Sequence, residues 1–138
     1  MRLGFRLAIE QLGPLSLSHR DLEPTHGDAP QAVIDLRSAI GLADGLVIVS
    51  PEYNYGISGV LKNALDWASR PAYRSVLARK PVLIITNSPG ALGGVRAYPQ
   101  LRSTLASTLS RVVARPEIVI SNVAEKIIGG RLSDDMTR

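Results

Sequence analysis

The residues best suited to chemistry lie in one short loop, at positions 51–57. Tyr53 and Tyr55 flank Asn54, and Gly56 follows them. Two aromatic rings beside an amide and a glycine suit a flat aromatic ligand better than they suit a hydrophobic core. The alternative is a strand-to-helix turn that uses proline, asparagine and glycine for their backbone geometry. From the residues alone, neither interpretation is preferred.

A second candidate segment contains three glycines and covers residues 88–94. Gly90, Gly93 and Gly94 follow Ser88 with the spacing Gly-x-x-Gly-Gly, just before a helical pattern. Glycine permits a ligand to approach main-chain amides closely, so these amides and the Ser88 hydroxyl are candidate contacts. A glycine cluster alone is a weak signal, and a helix-entry turn is a rival explanation for Gly93 and Gly94.

Strands and helices in alternation must position these two segments. Apolar, β-branched runs at Gly45–Val49 and Pro81–Thr86 predict strands buried on both faces. Helical spacing of apolar residues predicts helices at Pro30–Ala43, Ser58–Arg70 and Gly94–Ser110. Such alternation indicates a parallel α/β sheet. Ligands of open α/β sheets bind at the carboxyl ends of the strands, where both candidate segments lie.

The two ends of the chain have weaker patterns. An apolar face predicts a helix at Arg2–Leu12, and Leu15–Leu17 alternates like a short edge strand. Later apolar runs predict strands around Val112–Ala114 and at Ile118–Ile120. The tail from Ser121 is polar, and we expect little order in it beyond one helical turn.

Composition limits the class of protein. The 138 residues suffice for one domain, which buries roughly two-thirds of its unfolded surface. Because there is no cysteine, disulfides and thiolate chemistry are excluded. We find neither a secretory signal nor an apolar run of membrane-spanning length, so we expect a cytoplasmic protein without a membrane partner. The net charge of +4 comes from scattered basic residues without a nucleic-acid-binding motif, so we expect no nucleic-acid partner.

Two motifs, in order and in spacing, give the chain a family resemblance. The first joins Pro51-Glu52-Tyr53-Asn54 to Gly59-x-Leu61-Lys62-Asn63-Ala64-x-Asp66-Trp67, and the second spans residues 80–94. Both resemble the signature of the NAD(P)H-dependent FMN reductase family. The resemblance fades after about Ile120. It implies a flavodoxin-like fold, which is a three-layer α/β sandwich around a parallel sheet.

The same resemblance implies FMN and NAD(P)H as cofactors. Hydride transfer through a flavin needs no side-chain acid or base and no metal, so no catalytic side chain is expected. The implied cofactor-binding residues are Pro51, Glu52, Tyr53, Asn54, Ser88, Gly90 and Gly93. Tyr53 would form an aromatic wall beside the isoalloxazine ring, whereas Glu52 would hold the loop by accepting backbone hydrogen bonds.

The implied function is that of an FMN-dependent NAD(P)H oxidoreductase. Its electron acceptor would be a small molecule such as a quinone, an azo compound or a metal oxyanion. The family builds its flavin pocket close to a subunit interface, so a homodimer or homotetramer is expected. On that basis Lys62, Asn63 and Asp66 serve helix geometry and the interface, and Trp67 serves packing or the interface. Arg96 and Tyr98 are expected on the surface, with oligomer contacts as the alternative.

The chain departs from the family pattern at its beginning. The pattern opens with an apolar strand and a Gly-Ser-x-Arg-x-x-Ser loop around the FMN phosphate, and neither occurs in this sequence. In the flavodoxin-like strand order 2-1-3-4-5, the missing strand is the central one, which leaves an unpaired edge on Gly45–Val49. Losing two or three phosphate hydrogen bonds of roughly 1.5–3 kcal/mol each weakens FMN binding by about a thousandfold or more.

Two explanations of this departure compete. In the first, the true start lies upstream of Met1 and the sequence is truncated, which the intact remainder of the pattern favours. In the second, the chain has degenerated. The second explanation leads to an alternative function, in which the chain is a flavin-free remnant with a structural or interaction role.

Overall fold

Helices and strands alternate through the central part of the chain. The structure is a computed structural model, and it describes residues 6–10, 12–19, 22, 29–114 and 116–134. The longer elements are α1 (Gln31–Leu42), β1 (Leu46–Pro51), α2 (Gly59–Ala68), β2 (Pro81–Asn87) and α3 (Ala97–Ser107). The shorter elements that follow are β3 (Arg111–Val112), β4 (Ile118–Ile120), α4 (Val123–Lys126), β5 (Ile127–Ile128) and β6 (Arg131–Leu132). The predicted alternation is confirmed.

Strands β1 to β4 form one parallel sheet with β2 in the middle. β1 lies beside β2 in unbroken register, from Leu46 opposite Val82 to Pro51 opposite Asn87. On its other edge β2 pairs with β3 and, further along, with β4, again in parallel. This register brings the carboxyl ends of β1 and β2 side by side, so the segments that follow them are neighbours.

The core lies on one face of this sheet. One cluster of buried side chains joins β2 to the three long helices: Val82 and Ile84 with Leu36, Leu65, Leu101 and Leu105. Alternate residues of β1 point to the opposite face, where Val47 and Val49 are 55% and 58% exposed, so the predicted burial of this strand on both faces is wrong for the described residues. The described residues therefore supply two of the three layers of the expected sandwich. Tyr98, which was expected on the surface, is buried because it lies on the same face of α3 as Leu101 and Leu105.

One edge of the main sheet has no partner strand among the described residues. Within the described residues, β1 pairs with β2 alone, so its outer edge has no partner strand. Parallel sheets are normally covered on both faces and at most edges, because their strands are apolar throughout. The outer edge of β1 and the exposed face beside it are together called the open side of the sheet below.

The helix boundaries follow local chemistry. Pro30 stands at the N-cap of α1, where its missing N–H costs nothing. Ser58 caps α2, since its hydroxyl oxygen accepts a hydrogen bond from the Leu61 N–H at 3.3 Å. α3 is shorter than predicted because Leu109, with φ of 63°, leaves the helix in the left-handed region just after the cap. None of the described helices combines the length and the hydropathy that a membrane crossing needs.

The predicted helix at Arg2–Leu12 is wrong over the residues that the structure describes. Residues 6–10 and 12 have no helical structure, and residues 1–5 and 11 lie outside the described set. Leu7 and Ile9, which were expected to form its apolar face, are exposed. A short helix that does not bury its apolar face is marginal in water, which explains why the pattern alone does not produce one.

The predicted strand at Leu15–Leu17 is also wrong, and side chains of α2 explain what replaces it. The Ser16 carbonyl accepts hydrogen bonds from the Trp67 indole at 2.8 Å and from the Asn63 amide at 2.9 Å. The Asn63 side-chain oxygen in turn accepts from the Ser18 N–H at 2.7 Å. The main chain of residues 16–18 is thus hydrogen-bonded to side chains of α2 and not to a neighbouring strand.

The tail from Ser121 has more structure than predicted. It contains α4 and an antiparallel hairpin of β5 and β6. The Ser133 N–H donates to the Lys126 carbonyl at 2.8 Å, and the Lys126 ammonium lies 3.7 Å from the Asp134 carboxylate. Residues 135–138 lie outside the described set.

Candidate functional site

The two candidate segments leave the sheet at the carboxyl ends of two adjacent strands. Pro51 ends β1 and Asn87 ends β2, opposite one another in the register. The Glu52 N–H then donates to the Asn87 carbonyl at 3.2 Å, which continues the ladder by one bond. A crevice at the carboxyl ends of adjacent parallel strands is the usual ligand site of open α/β sheets.

Residues 53–56 form a tight turn, called the tyrosine turn below. The Tyr53 N–H donates to the Gly56 carbonyl at 2.8 Å, and the Gly56 N–H donates back at 2.9 Å. Asn54 and Tyr55 both have positive φ, 49° and 66°, as a type I′ turn requires. The rings of Tyr53 and Tyr55 are 61% and 70% exposed, so they are free to meet a ligand.

Glu52 connects the tyrosine turn to the first turn of α3. One oxygen of its carboxylate accepts hydrogen bonds from the Arg96 N–H at 2.8 Å and the Ala97 N–H at 3.1 Å. The other oxygen lies 3.9 Å from the Arg96 guanidinium, and the Glu52 side chain is 12% exposed. A carboxylate is favoured at the positive end of a helix dipole, so Glu52 caps α3 from outside the helix.

Two further residues of α3 and its N-cap contact the same turn. The Gln100 side-chain oxygen accepts from the Ile57 N–H at 2.8 Å. The Arg96 guanidinium carbon lies 4.3 Å from the centre of the Tyr55 ring, within cation–π range. Sequence reasoning missed Gln100. Its signal would have been a polar residue one helical turn after Arg96, on the same face of α3.

Residues 88–94, called the glycine loop below, divide into an open half and a buried half. The Ser88 hydroxyl accepts from the Gly90 N–H at 3.1 Å, and a side chain at Gly90 would meet nothing closer than that hydroxyl. Gly93 has φ of 59°, and a Cβ there would lie 2.7 Å from the Ser121 nitrogen. Gly93 and the neighbouring Gly94 are buried, so packing against β4 and β2 accounts for both glycines.

The structure brings most of the predicted site residues to one place. Pro51 lies opposite Asn87, and the Glu52 N–H donates to the Asn87 carbonyl, so the segment with Glu52, Tyr53 and Asn54 starts beside the segment with Ser88 and Gly90. The space between these two segments is called the crevice below. Gly93, in the buried half of the glycine loop, packs against residues 119–121. The predicted role of Glu52 as a backbone acceptor matches the observed geometry, although its partners are in α3 and not in its own loop.

The residues of the crevice fit the ring system of a flavin. In the described part of the chain, the main-chain N–H groups of Ala91 and Leu92 donate to no acceptor, and both residues are exposed. Free amides suit the carbonyl oxygens on the polar edge of an isoalloxazine, and the exposed tyrosines suit its faces. Among the described residues, no group of three or more histidine, aspartate or glutamate side chains is placed to hold a metal ion.

Comparisons with known proteins identify the family of the chain. A family model described as NADPH-dependent FMN reductase matches residues 5–125. An NAD(P)H-dependent FMN reductase of Pseudomonas aeruginosa is 43% identical over 110 residues, which are 79% of this chain and 59% of that protein. A 2-hydroxy-1,4-benzoquinone reductase of a Burkholderia species is 38% identical over 135 residues, 97% of this chain and 72% of that protein.

One solved structure is similar to the chain over most of its length. The flavoenzyme NAD(P)H:(acceptor) oxidoreductase FerB of Paracoccus denitrificans superposes with a TM-score of 0.82 at 32% identity, over 93% of this chain and 69% of FerB. The predicted flavodoxin-like α/β fold is thereby confirmed. The chain belongs to the NADPH-dependent FMN reductase family. It spans about three-fifths of the length of the Pseudomonas relative.

Proposed function

We propose that the chain binds FMN in the crevice between the tyrosine turn and the glycine loop, as part of an NAD(P)H-dependent oxidoreductase. One observation supports this most strongly. Exposed tyrosine rings, and main-chain N–H groups that have no acceptor among the described residues, both belong to the segments that follow the carboxyl ends of β1 and β2. Family membership supports the choice of FMN over other flat aromatic ligands.

The residues of the chain bind and orient, and none needs to transfer a proton. When bound, FMN supplies the acceptance and donation of hydride. The Ala91 and Leu92 amides would donate to the polar edge of the ring, and Tyr53 would pack beside it. Glu52 holds the tyrosine turn against α3 so that this wall keeps its place. Preorganised contacts of this kind favour binding because little freedom is lost when the ligand arrives.

The acceptor proposed for the electrons is a quinone, with azo compounds and metal oxyanions as further candidates. The name of the Burkholderia relative supports a quinone. The exposed tyrosines and Leu92 would suit a flat, largely apolar acceptor. We further propose a cytoplasmic homodimer or homotetramer, since the exposed apolar residues around the crevice, which include Val95, would be covered by a second subunit.

The first test is the visible absorbance spectrum of the purified 138-residue chain, followed by titration with FMN. We expect flavin bands to co-purify, or a titration that saturates in the micromolar range. NAD(P)H oxidation with a benzoquinone acceptor is then assayed on the same sample. A colourless chain that ignores FMN would refute the proposal for this chain and favour the flavin-free alternative.

Matched variants identify the place of binding. Tyr53 and Tyr73 are both exposed tyrosines, but Tyr73 lies after the carboxyl end of α2, at the far end of that helix from the tyrosine turn. We expect Tyr53→Ala to weaken FMN binding by roughly tenfold, as a lost aromatic contact of about 1–1.5 kcal/mol would. Tyr73→Ala should leave the affinity unchanged, and equal losses in both variants would place the flavin elsewhere.

A further inference from the structure

Gln100 makes one contact that connects distant parts of the chain. Its side-chain oxygen accepts from the Ile57 N–H at 2.8 Å, across 43 positions of sequence. Ile57 follows the tyrosine turn directly, and its own side chain is buried. The bond is part-buried, with Gln100 on the exposed side, and an N–H that loses its partner beside a buried side chain costs free energy, so this bond holds the chain just after the turn to α3.

Gly56 leaves the space in which Gln100 makes this bond. A Cβ at Gly56 would lie 2.6 Å from the Gln100 side-chain oxygen, which is too close for any real contact. The φ of Gly56 is not positive, so its backbone conformation is open to other residues. The physical reason for a glycine at this position is therefore the approach of Gln100.

α3 links the two walls of the crevice. The glycine loop ends at Gly94, and α3 begins three residues later at Ala97. The same helix is bonded to the other segment at two places. Gln100 accepts a hydrogen bond from the Ile57 N–H, and Glu52 accepts hydrogen bonds from the N–H groups of Arg96 and Ala97. An atom that fastens α3 to the tyrosine turn therefore fixes the separation of the turn from the glycine loop.

We propose that Gln100 is a positioning residue for the isoalloxazine ring, acting through Ile57 and the tyrosine turn, with Gly56 as the residue that admits it. The proposal rests on the proposed function, because it names FMN as the ligand of the crevice. Gln100 contacts the main chain at Ile57, just after the tyrosine turn, and is assigned no contact with the flavin.

The test compares three variants of α3 with the unmodified chain. Gln100→Ala removes the acceptor, Gln100→Glu keeps an oxygen in its place, and Ser103→Ala is the control on an exposed position of the same helix. Two readouts are measured: amide hydrogen exchange at Ile57 without FMN, and the Kd for FMN from flavin fluorescence. For Gln100→Ala we expect exchange at Ile57 and the Kd each to rise roughly five- to tenfold. Gln100→Glu should restore the protection of Ile57, and Ser103→Ala should change neither readout.

A double-mutant cycle tests the part assigned to Gly56. Gly56→Ala displaces the flexible end of Gln100, so we expect it to reproduce the effects of Gln100→Ala on both readouts. In the Gln100→Ala background, the same change has nothing to displace and should add less than about twofold. Additive effects of the two substitutions would overturn the proposal.

Failure of this proposal and failure of the proposed function give different results. If the unmodified chain binds FMN and Gln100→Ala binds it equally well, the role of Gln100 is refuted while the flavin site stands. If the unmodified chain does not bind FMN at any concentration, the proposed function fails and the assignment of Gln100 to a flavin fails with it. Exchange at Ile57 then reports the Gln100 contact as a structural feature alone.

Discussion

Tyr55 adopts a backbone conformation that its residue type disfavours. Its φ of 66° lies in the left-handed region, which costs a side chain with a Cβ about 1 kcal/mol or more. The second central position of a type I′ turn is most often glycine, and Asn54 before it fits the preference well. The Tyr55 ring lies under the Arg96 guanidinium and is otherwise exposed. We infer that the contacts of the Tyr55 ring offset the free-energy cost of its left-handed backbone conformation.

Substitution of Tyr55 tests this inference. Tyr55→Gly relieves the strained φ but loses a cation–π contact of about 0.5–1 kcal/mol, so we expect a free energy of unfolding within about 1 kcal/mol of the original. Tyr55→Ala keeps the strain and loses the contact, so it should be the less stable of the two. Urea unfolding measures both. At an ordinary position alanine is the more stable, and that order here would contradict the inference.

At the scale of elements, α3 lacks a cap of its own. Arg96 occupies the N-cap position without a side-chain hydrogen bond, and no acidic residue lies in the first turn. Glu52 supplies both the acceptor and the negative charge from the end of β1. The start of the helix is therefore coupled to the segment that carries the tyrosine turn.

Removing the Glu52 carboxylate should destabilise α3 in two distinguishable steps. Glu52→Gln keeps an oxygen for the Arg96 and Ala97 N–H groups and loses the charge, so we expect a loss of about 1 kcal/mol in the free energy of unfolding. Glu52→Ala leaves both N–H groups without their acceptor, and we expect a loss of about 2–3 kcal/mol. Denaturant titration followed by circular dichroism measures the difference. Equal losses for the two Glu52 variants would argue against a geometric role.

These elements also show how far sequence reasoning reaches. The apolar residues of α1 and α2 recur at helical spacing, and those of β1 and β2 form unbroken runs. Each of these predicted elements is present. Leu15–Leu17 is misassigned because its hydrogen bonds come from Asn63 and Trp67, which no local pattern reveals. Similarly, motif resemblance predicts both loops of the site, but it cannot reveal Gln100. That contact depends on packing across 43 positions of sequence.

At the scale of the whole molecule, the open side of the sheet is the main departure from a closed core among the described residues. β1 reads Leu-Val-Ile-Val-Ser-Pro and contains no charged residue. Natural edge strands usually contain lysine, a β-bulge or a proline within the strand, each of which hinders pairing with another chain. In this strand the proline comes last, and Val47 and Val49 leave the adjoining face apolar. The open side is therefore expected to favour association between copies.

A single charge should reduce that association. Val49→Lys places an ammonium on the open side at a position that is already more than half exposed, so we expect little change in the free energy of unfolding. Light scattering over a concentration series should show less growth in particle size than for the unmodified chain. Leu42→Lys, at an exposed position of α1, is the matched control. Equal effects of both substitutions would attribute the change to net charge and not to the open side.

The parallel register of the sheet has a consequence for how the chain folds. Every pairing of the main sheet joins residues roughly 30 or more positions apart, as Pro81 with Arg111 and Leu46 with Val82 show. No ladder bond of that sheet can form before a long loop closes, whereas the helices form from consecutive residues. β2 is a partner in all three pairings, so no pairing of the main sheet can form without it. We therefore expect the pairing of this seven-residue strand to limit the rate at which the main sheet forms.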